Sequence, residues 1–276
     1  MEKGVLYLAF GSAYRKKVHR SASRVAELGD WPICVITDKP SFPDETIYDR
    51  IEIRQPSAEW QTTEFGEDIK STYFQESPFE QTLFLDSDTY VVDAEAINEL
   101  FALLDEYDLA AAHDSARSVD QAYPNRTVPT ENAPETFPWL NIGVVAFNQT
   151  STVEKFFAEW RELYHEQNEV IKGINDQSSF TEALYESDVI HTVLPPEYNH
   201  HVPYPHTNRG RVRIVHGHFP NLEEIATFIN EVVTEENPYP LQAIRYEVRK
   251  KGGELWAEPI RAQARQKSRD EIIDGE

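Results

Sequence analysis

The sequence predicts an α/β protein built on a mostly parallel, Rossmann-like central sheet flanked by helices. Three observations carry that expectation. Short apolar runs alternate with amphipathic segments along the first half of the chain, the βαβα rhythm of a doubly wound sheet. The apolar runs are continuous rather than alternating in polarity, as strands covered on both faces are. The chain of 276 residues, 40% of them apolar, is long enough for one large domain with a buried core.

The elements follow in order. Val5–Phe10 is the first apolar run, broken by Gly11-Ser12. Tyr14–Leu28 carries Val18, Ala22, Val25 and Leu28 at helical spacing and stops at Gly29. Trp31–Thr37 and Ile51–Ile53 read as strands, Gly66–Glu76 as a helix, and Thr82–Leu85 as a strand running into Asp86-Ser87-Asp88. Ala94–Leu104 is a helix and Leu109–Ala112 a strand. Asp114 to Pro138 then breaks the rhythm, rich in Pro, Asn, Thr and Glu and without a period. A loop of that length is usually functional, and it is the expected acceptor wall or lid. Leu140–Phe147 resumes as a strand, Thr152–Asn168 and Asn175–Tyr185 as helices, Arg211–Val215 as a last strand and Asn221–Val233 as a helix. Beyond Pro238 and Pro240 the composition turns basic, with eight Lys or Arg between Arg245 and Arg269. The expected organisation is one domain over residues 1–222 and a helical C-terminal extension over 223–276.

Composition excludes several classes. Asp and Glu total 48 against 26 Lys and Arg, a net charge of −22 that repels nucleic-acid phosphates. The same excess, with Arg more frequent than Lys, points to a protein of a salt-rich cytoplasm, where screening removes its self-repulsion. No apolar stretch approaches the ~20 residues that span a bilayer, and the N-terminal run lacks the context of a signal peptide. The single cysteine, Cys34, forbids an internal disulfide. The expected location is cytoplasmic, with the basic C-terminal segment as a candidate contact to the inner membrane face or to a lipid-diphosphate acceptor.

The chemistry concentrates at Asp86-Ser87-Asp88. Two carboxylates at i and i+2 leave the end of a buried strand, where strand alternation would point both to one face. Ligands of open α/β sheets sit beyond the carboxyl ends of the strands. A hard divalent cation takes carboxylate oxygens together with phosphate oxygens of a substrate. His216 and His218 lie past a later strand end and suit a metal, with His216 preferred. Asn141 precedes the small residue Gly143, which allows close approach of a ligand. Asp176 heads a helix, where a carboxylate is also a cap.

This ordered series, from about residue 4 to residue 220, resembles the GT-A glycosyltransferases, specifically the glycogenin-like family 8 type. The resemblance implies the GT-A fold. It implies that Asp86, Ser87 and Asp88 bind the donor nucleotide, and that Asp86, Asp88 and His216 hold Mn2+ or Mg2+. Asn141 and Gly143 look like the family's N-x-G strand facing the donor sugar, and Asn175-Asp176-Gln177 like its D-Q motif near the anomeric carbon. Lys70 is placed like the basic residue that contacts the donor, and Tyr14 like the residue that stacks on the base. The implied reaction is transfer of a sugar from a nucleoside diphosphate-sugar, a UDP-sugar by default, to a hydroxyl of a glycan, lipid-linked or protein acceptor, with retention. Asp176 or Gln177 would flank the sugar; an inverting enzyme would instead need a base, for which Asp114 and Asp120 are candidates. One departure is plain. The chain reads His216-Gly217-His218-Phe219-Pro220, without the family's following lysine, so either another basic residue, such as Arg209, Arg211 or Arg213, neutralises the diphosphate or the leaving group is less well neutralised.

Competing readings fare worse. A nicotinamide-dependent Rossmann enzyme needs a Gly-rich loop after the first strand, and only Gly11 is present. Gly11-Ser12-Ala13-Tyr14-Arg15-Lys16 is likewise a poor version of a pyrophosphorylase loop. A non-catalytic sugar-nucleotide-binding protein and a metal-dependent phosphohydrolase differ from a transferase in their products.

Overall fold

The computed structural model describes residues 2–55, 68–119, 130–171 and 174–261. Seven strands form the central sheet: β1 (Lys3–Ala9), β2 (Ile33–Thr37), β3 (Arg50–Ile53), β4 (Gln81–Leu85), β6 (Leu109–Ser118), β7 (Pro138–Asn148) and β8 (His191–Leu194). Their order is β3-β2-β1-β4-β7-β6-β8. All are parallel except β7, which runs antiparallel to both β4 and β6. A short strand, β5 (Thr89–Val91), follows β4 and belongs to a separate sheet.

The continuous apolar strands are buried on both faces, as their composition requires. One face packs against α1 (Ser12–Leu28) and α3 (Ala94–Leu103) through Val18, Ala22, Val25, Ile97 and Leu100. The other face is covered by α4 (Ser151–Val170) and α5 (Gln177–Glu186), with α2 (Asp68–Tyr73) beside them. There Phe74, Phe84, Phe147, Phe157, Trp160 and Phe180 form an aromatic cluster. Stacked and edge-to-face aromatic pairs add about 0.5–1.5 kcal/mol each beyond their area burial. Helices α3 and α4, one on each face, start on side-chain caps: Asp93 accepts from Ala96 N and Thr150 from Val153 N.

A small sheet of β5, β9 (His200–His201) and β11 (Ile214–His216) closes the carboxyl end of the large one. Its third cluster, with Val202, Val212, Val215 and Ile225, rests on α6 (Leu222–Asn230). The segment after α6 corrects the expected helical extension. It forms β12 (Leu241–Lys251) and β13 (Glu254–Arg261), a hairpin paired to β10 (His206–Arg209). Gly252 and Gly253 make its turn at φ 59° and 95°, conformations that glycine adopts without strain. Arg249, Lys251 and Arg261 pair with Glu247, Glu258 and Glu231, so the described part of this segment is no run of free positive charge. The remainder of the basic run lies outside the described residues. No helix among the described residues is long and apolar enough to cross a membrane.

The expected loop between Asp114 and Pro138 is shorter than its composition suggested. Strand β6 continues through Ser118, and Val119 N donates to Phe137 O as β7 begins. Asn132 and Ala133 are fastened to Glu182 of α5 through their backbone amides. Asp120 lies outside the described residues.

Candidate active site

Strand β4 ends at Leu85, and the ladder carries on for one more bond, Asp86 N donating to Gly143 O at 2.8 Å. The chain then turns. Thr89 N and Thr89 Oγ1 both donate to Asp86 O, at 3.2 and 2.9 Å. This turn, rather than strand alternation, brings the Asp86 and Asp88 carboxylates to one side. Strand β5 leaves it antiparallel to β11, with Thr89 opposite His216, and Gly217 N donates to Asp88 O at 2.9 Å. Pairing of β5 with β11 is therefore what delivers the histidine.

Nε2 of His216 lies 3.6 Å from Asp86 Oδ2 and 3.6 Å from Asp88 Oδ1. One ligand atom from each of the three falls within 4.8 Å of the others. The ring is aimed by its other nitrogen: Nδ1 donates to Asn199 Oδ1 at 3.0 Å, and Asn199 Nδ2 donates to Asn141 Oδ1 at 2.8 Å. That chain leaves the Nε2 lone pair facing the carboxylates, the arrangement of a metal-ligating histidine. His218 is different. It is 71% exposed and touches Asp88 Oδ2 from outside the cluster. Burial works against charge on Asp88, but the imidazoles of His216 and His218 outweigh it and hold its carboxyl well below the usual range. Burial likewise opposes charge on His216, and Asp88 and Asp86 outweigh it and raise its pKa.

Lys70 enters from α2. Its ammonium donates to Asp86 Oδ2 at 2.9 Å and to Ile142 O at 3.1 Å. Because β7 is antiparallel, its early residues, not its late ones, lie beyond the carboxyl end of β4, which puts Asn141 and Gly143 in the site. Gly143 has a packing role that the sequence did not reveal. A Cβ there would come within 2.7 Å of His216 Nδ1, so the space it leaves is filled by the histidine.

Asp114 is a buried residue of β6, not a loop residue, and its Oδ2 accepts from Asn141 Nδ2 and Gln177 Nε2 at 2.9 and 3.0 Å. Burial raises its pKa, yet these amides and the nearby His201 bring it below the ordinary value. It is an anchor, not a free base. Gln177 also donates to Leu140 O and accepts from Asn175 Nδ2, so its amide is a strut between β6 and β7. Asp176 stands in contrast. It opens α5 without capping it, is buried, and its Oδ2 has no hydrogen-bond partner. Burial pushes its carboxyl up to about 6, against the pull of Lys70 and with the push of Asp86. Ser87 is buried in the turn, while Tyr14 is 42% exposed on the first turns of α1 and so is not a core residue. Arg211 and Arg213 pair with Asp93, Glu95 and Glu99 around α3.

Asn199 and His201 are site residues that the sequence did not single out. His201 stacks on His216 at 4.7 Å, and burial with the neighbouring His216 lowers its pKa to about 3. Pro195-Pro196-Glu197-Tyr198-Asn199 carries no periodicity, and β9 is two residues long, so no local signal marked them.

No protein-family model matches the chain, and a search of curated proteins finds no match. Solved structures do match. A galactosyltransferase, LgtC, in complex with donor and acceptor sugar analogs, superposes with a TM-score of 0.55 at 15% identity, over 84% of this chain and 98% of that one. Mouse xyloside xylosyltransferase 1 superposes at 0.52 and 16% identity, over 79% and 98%. The glycosyltransferase GlyE of Streptococcus pneumoniae TIGR4 superposes at 0.50 and 18% identity over 73% of this chain, which spans only 48% of GlyE. The fold is GT-A. Glycosyltransferases of the GT-A fold are often metal-dependent, and the residues here fit such an ion. Two carboxylates and one oriented imidazole converge, a donor set suited to Mn2+ or Mg2+.

Proposed function

We propose that this protein is a metal-dependent glycosyltransferase that moves a sugar from a nucleoside diphosphate-sugar, a UDP-sugar by default, to an acceptor hydroxyl with retention. The observation that carries the reading is the meeting of Asp86, Asp88 and His216 beside the buried carboxylate of Asp176, whose Oδ2 has no hydrogen-bond partner. Mn2+ or Mg2+ held by that triad would neutralise the charge that grows on the diphosphate leaving group. Lys70, tied to Asp86, adds a fixed positive charge at the same edge. Tyr14 offers an exposed ring for the base at the end of β1. Asp176 Oδ2 accepts a sugar hydroxyl and opposes the positive charge of an oxocarbenium-like transition state. Asp114, Asn141 and Gln177 fix the strands around it, which is positioning rather than chemistry.

Release of free nucleoside diphosphate from UDP-, GDP-, CDP- and dTDP-sugars, with and without Mn2+, tests the reading on the wild type and Asp88→Asn. Turnover that needs the metal and falls at least ~100-fold in the variant is expected. Binding without any release, even slowly to water, would leave a sugar-nucleotide-binding protein instead. Product NMR of the anomeric proton decides retention; inversion would overturn that part alone.

A further inference from the structure

Negative charge around the triad exceeds the positive charge that faces it. Asp86, Asp88, Asp114 and Asp176 gather four carboxylates, and the ammonium of Lys70 is already bound to Asp86. A divalent ion offsets two of those charges, and a diphosphate brings its own. When the bond between the anomeric carbon and the phosphate oxygen breaks, the electron pair stays on that oxygen and adds another. Arg211 and Arg213 serve the carboxylates around α3, and Arg15 is bound to Asp38.

Lys17 lies on the side of α1 that faces the turn. Tyr14, Lys17 and Ser21 share one helix face at i, i+3 and i+7 spacing. Ser21 Oγ pairs with Thr89 Oγ1 at 3.0 Å, and Thr89 in turn holds Asp86 O, so the helix is docked on the turn one helical turn beyond Lys17. The Lys17 ammonium meets His218 Nδ1 at 3.2 Å and lies 5.6 Å from the centre of the Tyr14 ring. His218 Nδ1 also contacts Asp88 Oδ2. One ring nitrogen either accepts from the ammonium or donates to the carboxylate, so one of the two contacts is always unfulfilled. Among the described residues the Lys17 ammonium meets an imidazole and no carboxylate, in a chain of net charge −22. This is a cation held beside the metal triad with no anion of its own.

We propose that Lys17 binds the diphosphate of the donor and takes up the charge that grows on it as the sugar departs, an inference that rests on the donor-site reading above. It acts by charge-assisted hydrogen bonding, without proton transfer.

The test titrates UDP, GDP, CDP and dTDP, and the monophosphate of whichever base binds, into full-length protein with Mn2+. Lys17→Gln should weaken the diphosphate about tenfold or more, because a charge-assisted bond is lost. The monophosphate should change far less, and Lys17→Arg should recover most of the loss. Lys16→Gln, a change of equal charge at the neighbouring position of α1, should match the wild type. Equal diphosphate affinity in Lys17→Gln and wild type would overturn the assignment and leave the donor site standing. Equal losses for monophosphate and diphosphate would mean a structural effect and also overturn it. A wild type that binds no nucleoside diphosphate would overturn the donor-site reading and this inference with it.

Discussion

Asp114 and Asp176 are both buried carboxylates of one site, and their neighbours drive them in opposite directions. Asp114 receives two side-chain amides and stays ionised. Asp176 receives none on Oδ2, and burial lifts its pKa to about 6. Both can be named from sequence, but their roles follow from hydrogen bonds that sequence does not display. An unfolded aspartate titrates near ~3.9. The folded value is higher, so ionised Asp176 costs stability: the cost is absent below pH ~4, grows as pH rises, and is complete above pH ~6, at roughly 2–3 kcal/mol. Asp176→Asn should therefore stabilise the metal-free protein relative to wild type, with a difference in unfolding free energy that opens between those pH values. The same variant should lose transfer activity. A difference that is flat with pH would mean that Asp176 is not held in a destabilising environment.

Strand β7 shows how an element sets the site. Its antiparallel course brings Asn141 and Gly143 to the carboxyl end of β4, and its glycine admits the His216 ring. Gly143→Ala should push that ring aside and weaken Mn2+ binding by ~10-fold or more, measured by titration of the metal alone. Unchanged affinity would show that His216 is not a ligand. The long elements were legible because each carries a full period of signal: β1, α1, β4, β7 and α4 lie within a few residues of where the sequence puts them. The antiparallel sense of β7 was not legible, since a buried strand reads the same in either direction. Strands β5, β8, β9 and β10 have two to four residues and are defined by their partners. The hairpin β12–β13 did carry a signal: Ile244, Tyr246 and Val248 alternate with Arg245, Glu247 and Arg249 ahead of Gly252-Gly253.

At the scale of the whole molecule, the net charge of −22 is the dominant fact. Ion pairs such as Arg24–Glu27 and Lys155–Glu159 are exposed and worth about 0–1 kcal/mol each, so salt costs little by weakening them. The unpaired excess of carboxylates acts over the whole surface, and its repulsion has a range of about 10 Å in ~0.1 M salt and about 3 Å in ~1 M. Screening of the repulsion should win. The midpoint of thermal unfolding of the metal-free protein should rise with KCl over that interval, and most of the rise should come early, where the Debye length shrinks most. A rise that instead continues steadily at higher salt would indicate surface exclusion of the ions, which strengthens apolar burial and is independent of net charge. A flat or falling curve would mean that the acidic surface is not an adaptation to salt, because the pairs lost would then outweigh the repulsion relieved.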